Sequence, residues 1–320
     1  MKLGVHANAF SGVSLEETLR ICNSLGLQAI ELKSAGYPKN AHLNIDELMG
    51  DGSSITRLQE LLKQYNLFIS VLSCSGNHVH PDEKIRIPFQ DVFRKNILLA
   101  ERLGINKIVT FSGCPGDSAS SQYPNWVTCP WPDDYLKILE YQWNDVLLPY
   151  WCSTAKFARD HGVKICIEMH PGFSAYNPET FLKLHNAAGE NLGLNFDPSH
   201  LFWQGIDPVE VISKLGQFIF HVHMKDSYVD EKVVRLNGVL DTKHYKDVAN
   251  RAWTFRTVGY GHSAGVWRGI ISALRVAGYD YVLSIEHEDC LMSRDEGLRK
   301  AIDFLRPLMI AEAADQMWWA

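Results

Sequence analysis

The sequence predicts an α/β protein built as one (β/α)8 barrel over residues 1–310, with residues 311–320 as a C-terminal tail. Three observations lead there. Eight short apolar runs alternate with segments of helical periodicity, the pattern of parallel strands joined by crossover helices. No composition break marks a second domain along the 320 residues, a length that single α/β barrels reach. The last four runs each end in carboxylates and histidines, as expected of strands whose C-terminal ends converge on one mouth. A doubly wound open sheet is the competing architecture, but no G-x-G-x-x-G or G-x-x-x-x-G-K-[ST] follows any run.

The first strand is expected over residues 3–10, which include His6 and Asn8. Ser14-Leu-Glu-Glu17 reads as a capping box, with Leu15, Leu19, Cys22 and Leu25 at helical spacing and Gly26 as the stop. Residues 27–32 form the second strand, about 53–65 the next helix, and 67–75 the third strand, which ends at Gly76, Asn77 and His78. A helix over 89–103, closed by Gly104, leads to the fourth strand at 105–111. Residues 112–134 are rich in Gly, Pro, Ser and Trp, and too long for an idle turn. A long helix over 135–161 stops at Gly162. The fifth strand (163–169), a helix from Pro178, the sixth strand (192–197), a short helix from Pro208 and the seventh strand (218–224) follow. Residues 227–263 are a second long loop with little periodicity. A helix over 266–277 ends at Gly278 and the eighth strand spans 281–286. Ser293-Arg-Asp-Glu296 then caps a last helix running to about Leu308.

The strand ends carry the chemistry. Residues 194–201 (L-N-F-D-P-S-H-L) deliver Asp197 to the end of an apolar run, where Pro198 halts ladder pairing. Residues 163–170 deliver Glu168 and His170. Residues 218–226 deliver His221, His223, Lys225 and Asp226, and residues 281–289 deliver Glu286, His287, Glu288 and Asp289. Glu168, Asp197, His223 and Glu286, one from each of four successive strand ends, form a hard-oxygen and imidazole set suited to Mn²⁺, Mg²⁺ or Co²⁺. Without a cation, three crowded carboxylates would repel. His221 points the same way as His223 by period and is the alternative ligand, or a packed neighbour lower in the barrel. His223 lies nearer the mouth and is preferred.

His170 and His200 are candidates for substrate contact or proton transfer. Lys225 and Arg256 are candidates for neutralising an enolate or binding an anionic group. His6 and Asn77 read as supporting or packing groups. Glu288 and Asp289 either orient ligands or cap the last helix. Tyr123, Trp126, Trp131, Tyr141, Trp143, Tyr150 and Trp151 read either as a lid that stacks on a sugar or aglycone, or as core and interface residues. Trp318 and Trp319 lean towards a subunit contact.

Composition excludes several partners. The formal net charge is −6 with no basic block, which argues against nucleic acid or an anionic membrane, and against an abasic-site endonuclease. Seven cysteines stand singly with no C-x-x-C, as expected of reduced thiols in the cytoplasm. The first residues carry one lysine and no sustained apolar core, so no signal peptide is expected.

The runs I-C-I-E-M-H-P-G, N-F-D-P-S-H-L, H-V-H-M-K-D and L-S-I-E-H-E-D resemble the xylose-isomerase-like TIM-barrel superfamily, commonly described as sugar phosphate isomerases and epimerases. The resemblance covers most of the chain. It implies a divalent metal, often Mn²⁺, on Glu168, Asp197, His223 and Glu286; Zn²⁺ is also compatible. In the ketose 3-epimerase branch the two glutamates exchange protons on either face of the substrate, and the D-x-x-H histidine, here His200, contacts substrate. His170 resembles an acid/base residue of other branches. The resemblance therefore implies a metal-dependent isomerase or epimerase that removes a proton next to the carbonyl of a sugar or keto-sugar. The alternative is a lyase or dehydratase eliminating the β-substituent of a 3-keto-glycoside or keto-cyclitol. The long loops after strands four and seven depart from the compact epimerases and point to a larger substrate or a second, non-identical subunit. A homo-oligomer is the expected assembly.

Overall fold

Near-continuous apolar runs give strands that bury both faces, as a parallel barrel requires. The computed structural model describes residues 1–37, 42–50, 52–313, 317 and 319. Its strands are β1 (Lys2–His6), β2 (Ala29–Gly36), β3 (Phe68–Ser75), β4 (Lys107–Phe111), β5 (Lys164–Glu168), β6 (Leu192–Phe196), β7 (Ile219–Met224), β8 (Asp226–Val229), β9 (Trp253–Arg256) and β10 (Val282–Ile285). All except β8 and β9 close a parallel barrel in the order β1-β10-β7-β6-β5-β4-β3-β2. All eight barrel strands lie where the sequence places them, with ends shifted by a few residues. Helices pack around the barrel, and none among the described residues is long and apolar enough to cross a membrane. The seven cysteines are free thiols.

Where the structure departs from the sequence reading, local side-chain bonds account for it. The first strand ends at His6, whose Nδ1 accepts from the Asn8 amide and turns the chain into a 3-10 helix, Ala7–Phe10. The helix expected from residue 89 begins at Glu83, because the Asp82 carboxylate caps it at the Lys84 amide. Pro88 lies inside it, at the cost of one backbone bond. The long helix before β5 is broken by a π-helical segment, Tyr141–Leu147, directly before Leu148–Asp160 with Pro149 in its first turn. The expected shapeless loop at 227–263 holds the antiparallel pair β8–β9 and a helix, Glu231–Asn237. A small core of Ala252, Trp253 and Phe255, packed with Trp203 from outside the loop, holds it together.

The aromatic residues after β4 divide. Trp143 and Trp151 are buried, and the Trp151 indole donates to the Ser112 carbonyl (2.8 Å), so these two belong to the core. Gln142, also buried, donates to the carbonyls of Pro115, Gly116 and Asn125 and pins the 112–133 loop to the helix. Tyr123 and Trp131 stand exposed. Trp318 lies outside the described residues, and Trp319 is exposed. Inside the barrel, Val71, Val109, Cys166 and Phe220 form the plug beneath the site. Gly193 makes room for Phe220: a Cβ there would sit 2.3 Å from its ring.

His78 is buried among Phe93, Tyr150 and Trp151, and its Nε2 lies 2.8 Å from the Thr110 hydroxyl. That hydroxyl already donates to the Cys74 carbonyl, so the imidazole is the donor. Burial pushes its pKa down to about 3. A base whose folded pKa is depressed contributes stability above its unfolded pKa of about 6.5 and loses it as pH falls towards the folded value. The stability of wild type relative to His78→Phe is therefore expected to fall by about 1.4 kcal/mol per pH unit below pH ~6. Urea unfolding at several pH values measures this, and a pH-independent difference would contradict it.

Candidate metal centre and active site

Period-2 alternation aims every second strand residue into the barrel, and the parallel register levels those residues. Phe111 lies beside Glu168, Glu168 beside Asn195, and Asn195 beside His221. His223 lies beside Ser284, and His6 beside Glu31. At this level and the step above it, the ends of β5, β6, β7 and β10 bring Glu168, Asp197, His223 and Glu286 together. One potential ligand atom from each falls within 4.8 Å of the others, and all four residues are buried. His223 Nδ1 lies 3.1 Å from Glu286 Oε2 and 3.4 Å from Glu168 Oε2. Asp197 Oδ2 is buried and within ion-pair range of Lys225 and His200, yet accepts no aligned hydrogen bond. Three buried carboxylates and one imidazole, gathered at one point, are a donor set that fits a divalent cation.

Lys225 is the group the sequence placed most loosely. Its ammonium is buried at the centre, 2.7 Å from Glu286 Oε2, 3.0 Å from Asp197 Oδ2 and 3.2 Å from Glu288 Oε2. Burial alone would favour neutral lysine, but the carboxylates of Asp197, Glu286 and Glu288 outweigh it and hold the amine charged. Burial likewise opposes ionisation of Asp197 and Glu286. Lys225 and His200 keep the first well below the usual carboxylate range, and Lys225 and His223 do the same for the second.

His200 Nε2 lies 3.0 Å from Glu168 Oε1 and 3.2 Å from Asp197 Oδ2, so it ties two members of the set together. Burial resists its protonation, but Asp197 more than compensates and raises its pKa. His170 sits against it, with ring centroids 4.3 Å apart. Burial and the nearby charges of His200 and Lys225 drive the His170 pKa well down, leaving a neutral ring. Its Nδ1 lies 2.8 Å from the Pro171 carbonyl and must carry the proton, so Nε2 keeps its lone pair.

Three supporting residues went unread in the sequence or were read weakly. Glu31 on β2 is wholly buried and lies 3.0 Å from His223 Nε2, 3.4 Å from His6 Nε2 and 3.0 Å from the Ser284 hydroxyl. Ser73 also donates to it. By accepting the Nε2 proton of His223, Glu31 leaves Nδ1 facing the other ligands, the usual second contact of a metal-binding histidine. Burial opposes charge on Glu31, but His223, His6 and His221 together lower its pKa. Asn195 donates to Glu168 Oε2 (3.0 Å), and its Oδ1 lies 2.9 Å from His221 Nδ1. His221 therefore belongs to the layer below, as a packed neighbour and outside the four-residue set. The available signal was a polar residue inside an apolar run, Glu31 in L-Q-A-I-E-L and Asn195 in L-N-F.

Other candidates land elsewhere. Arg256, on β9, pairs with Asp289 (3.0 Å). Asp289 accepts the amides of Thr257 and Leu291, so it joins two loops, while the last helix is capped by Ser293. Glu288 reaches Lys225. Asn77 brackets Cys114, donating to its carbonyl and accepting its amide. The site opens into a cavity of about 200 Å³ lined by His6, Asn8, Tyr37, Ser75, Phe111, Glu168, His170, His223, Lys225, Glu286 and Glu288, without Arg256.

The chain's similarities accord with this fold. It is 37% identical over 309 residues to the uncharacterized protein YfiH of Bacillus subtilis (strain 168), covering 96% of this chain and 98% of that one. It is 38% identical over 108 residues to an inosose dehydratase of Clostridium botulinum (strain Alaska E43 / Type E3), which is 31% of this chain and 36% of the relative. Among solved structures, the IolI protein with a bound zinc atom superposes with a TM-score of 0.66 at 19% identity, covering 98% of this chain and all of that one (100%). A D-tagatose 3-epimerase-like protein gives 0.62 at 22% identity, covering 96% and 98%. Residues 19–308 match the family model described as the xylose isomerase-like TIM barrel. With its closed eight-strand parallel barrel, the chain belongs to the xylose isomerase-like TIM-barrel family.

Proposed function

We propose that the protein is a divalent-metal-dependent enzyme that removes the proton next to a carbonyl of a sugar or keto-sugar, and that it acts as an isomerase or epimerase. The observation that carries this reading is the convergence of Glu168, Asp197, His223 and Glu286 at the C-terminal mouth of the barrel. A divalent ion held by these four would polarise the carbonyl oxygen and offset the charge that develops on it. Mn²⁺ is the proposed ion, on an oxygen-rich donor set.

The protein groups divide the proton work. Glu286 is engaged at Oε2 by Lys225 and His223, while among the described residues no hydrogen bond occupies its Oε1. That oxygen is the proposed acceptor of the α-proton. Glu168 is held at both oxygens, by His200 and by Asn195, and serves the opposite face of the substrate. His170 offers its free Nε2 to substrate hydroxyls, and Lys225 brings a fixed positive charge to the side where an enolate oxygen forms.

A second reading, elimination of a β-substituent, is favoured by one observation. The inosose dehydratase relative reaches 38% identity over about a third of the chain. Incubation in D₂O with Mn²⁺ and a panel of ketoses and 3-keto-glycosides tests both readings. Metal-dependent deuterium uptake at the α-carbon with unchanged composition supports isomerisation, and release of water or an aglycone supports elimination. Asp197→Ala is expected to lower exchange on the order of 10³-fold. Full exchange in that variant would remove Asp197 from the mechanism.

A further inference from the structure

His170 lines the inner cavity, yet its place is set by groups outside the strand that leads to it. Beyond β5 the chain turns back on itself. The His170 amide donates to the Ala175 carbonyl (3.3 Å), and the Phe173 amide donates to the His170 carbonyl (3.2 Å). Residues 171–175 are therefore a loop closed on the backbone of His170. Ser112, wholly buried just after β4, holds that loop from one side. Its hydroxyl accepts the Ala175 amide (2.9 Å) and donates to the Gly113 carbonyl (3.1 Å), which also accepts the Ser174 amide (2.9 Å). The Trp151 indole, donating to the Ser112 carbonyl, fixes Ser112 in turn.

Gln204 holds the loop from the other side. His200 stands in a helix of a single turn, Ser199–Phe202, too short to satisfy its own carbonyls. In a longer helix the Gln204 amide would reach the His200 carbonyl, four residues back. Here that amide donates to Leu201 instead (3.0 Å), and the Gln204 side chain takes its place. Nε2 donates to the His200 carbonyl (2.6 Å) and to the Tyr176 carbonyl (3.1 Å), using both of its hydrogens. One amide group thus ties the turn that carries His200 to the segment that carries His170. The two imidazoles meet with ring centroids 4.3 Å apart. Neither Gln204 nor Ser112 lines the cavity.

We infer that Gln204 and Ser112 are positioning residues that hold His170 against His200, and so set where the free Nε2 of His170 meets a substrate hydroxyl. The catalytic role rests on the reaction proposed above; the placement of the two rings does not. A shift of about 1 Å in a group that contacts substrate costs up to about 10²-fold in rate, so tethers this far from the cavity have a measurable effect.

Two measurements on the full-length protein test the assignment. With histidine-selective labelling and Mg²⁺ present, NMR should show a ring-to-ring cross-peak between His170 and His200 that is absent in His170→Ala. Gln204→Met, which keeps the bulk and removes the donors, and Ser112→Ala should each weaken it severalfold. Deuterium exchange with Mn²⁺ supplies the second measurement, and each variant should lower kcat/KM about tenfold. Once His170 is alanine, Ser112→Ala should cost less than about twofold more, because nothing is left for it to position. A residue that only stabilises the fold would lower Tm, keep the cross-peak and cost the same in either background. A cross-peak undiminished in both variants, or a full tenfold loss from Ser112→Ala in the His170→Ala background, would overturn the assignment. A weakened cross-peak with no exchange on any sugar sinks the reaction and keeps the positioning; exchange with an undiminished cross-peak does the reverse.

Discussion

Replacing Glu286 by glutamine is expected to lower turnover on the order of 10³-fold or more and to weaken metal binding at least about tenfold. The amide removes one of three anionic ligands and the oxygen proposed to accept the substrate proton. It also strips Lys225 of its nearest counter-charge at 2.7 Å, leaving the ammonium to Asp197 and Glu288. Because Lys225 is wholly buried, that loss also favours local rearrangement of the ligand set. Steady-state kinetics on the substrate identified by deuterium exchange, with Mn²⁺ titration of the same variant, measure both effects. Turnover within tenfold of wild type would show that Glu286 is a bystander.

The second large effect is expected at Glu31, which touches none of the other carboxylates. Glu31→Gln keeps the shape but replaces one acceptor oxygen with an NH₂ group among three imidazoles and two serine hydroxyls. His223 Nε2 then faces a weaker acceptor or a competing donor, and the tautomer that presents Nδ1 to the metal is no longer enforced. Metal affinity should drop by about 10–100-fold, with turnover restored in part by excess Mn²⁺. The matching readout is the metal dependence of the rate, which moves for a positioning residue and stays fixed for one that merely packs. An unchanged Mn²⁺ half-saturation would show that Glu31 does not position His223.

Glu31 also shows where sequence reading stops. The barrel was legible because its strands are apolar runs punctuated by capped, Gly-terminated helices, and each such signal is local. The candidate ligand set was legible because Glu168, Asp197, His223 and Glu286 stand at strand ends, where a charged residue after an apolar run is conspicuous. Glu31 sits inside its strand, and its meaning depends on closure of the barrel, which sets β2 across from β7. No one-dimensional pattern records that pairing. Lys225 was visible as a residue but not as the buried partner of Asp197 and Glu286, for the same reason. The β8–β9 pair escaped because its strands are short and its packing core draws on Trp203, which lies outside the loop. Arg256 shows the converse: a plausible anion binder by type, it is held by Asp289 away from the inner cavity.

The proposed chemistry needs a single divalent ion at the mouth of the barrel, and metal binding by the purified protein tests it. Chelator-treated protein titrated with Mn²⁺ should take up one ion per chain. Asp197→Asn and Glu286→Gln should each weaken that uptake by at least about tenfold. A protein that binds no divalent ion, or binds one undiminished in both variants, would contradict the metal centre and the reaction built on it.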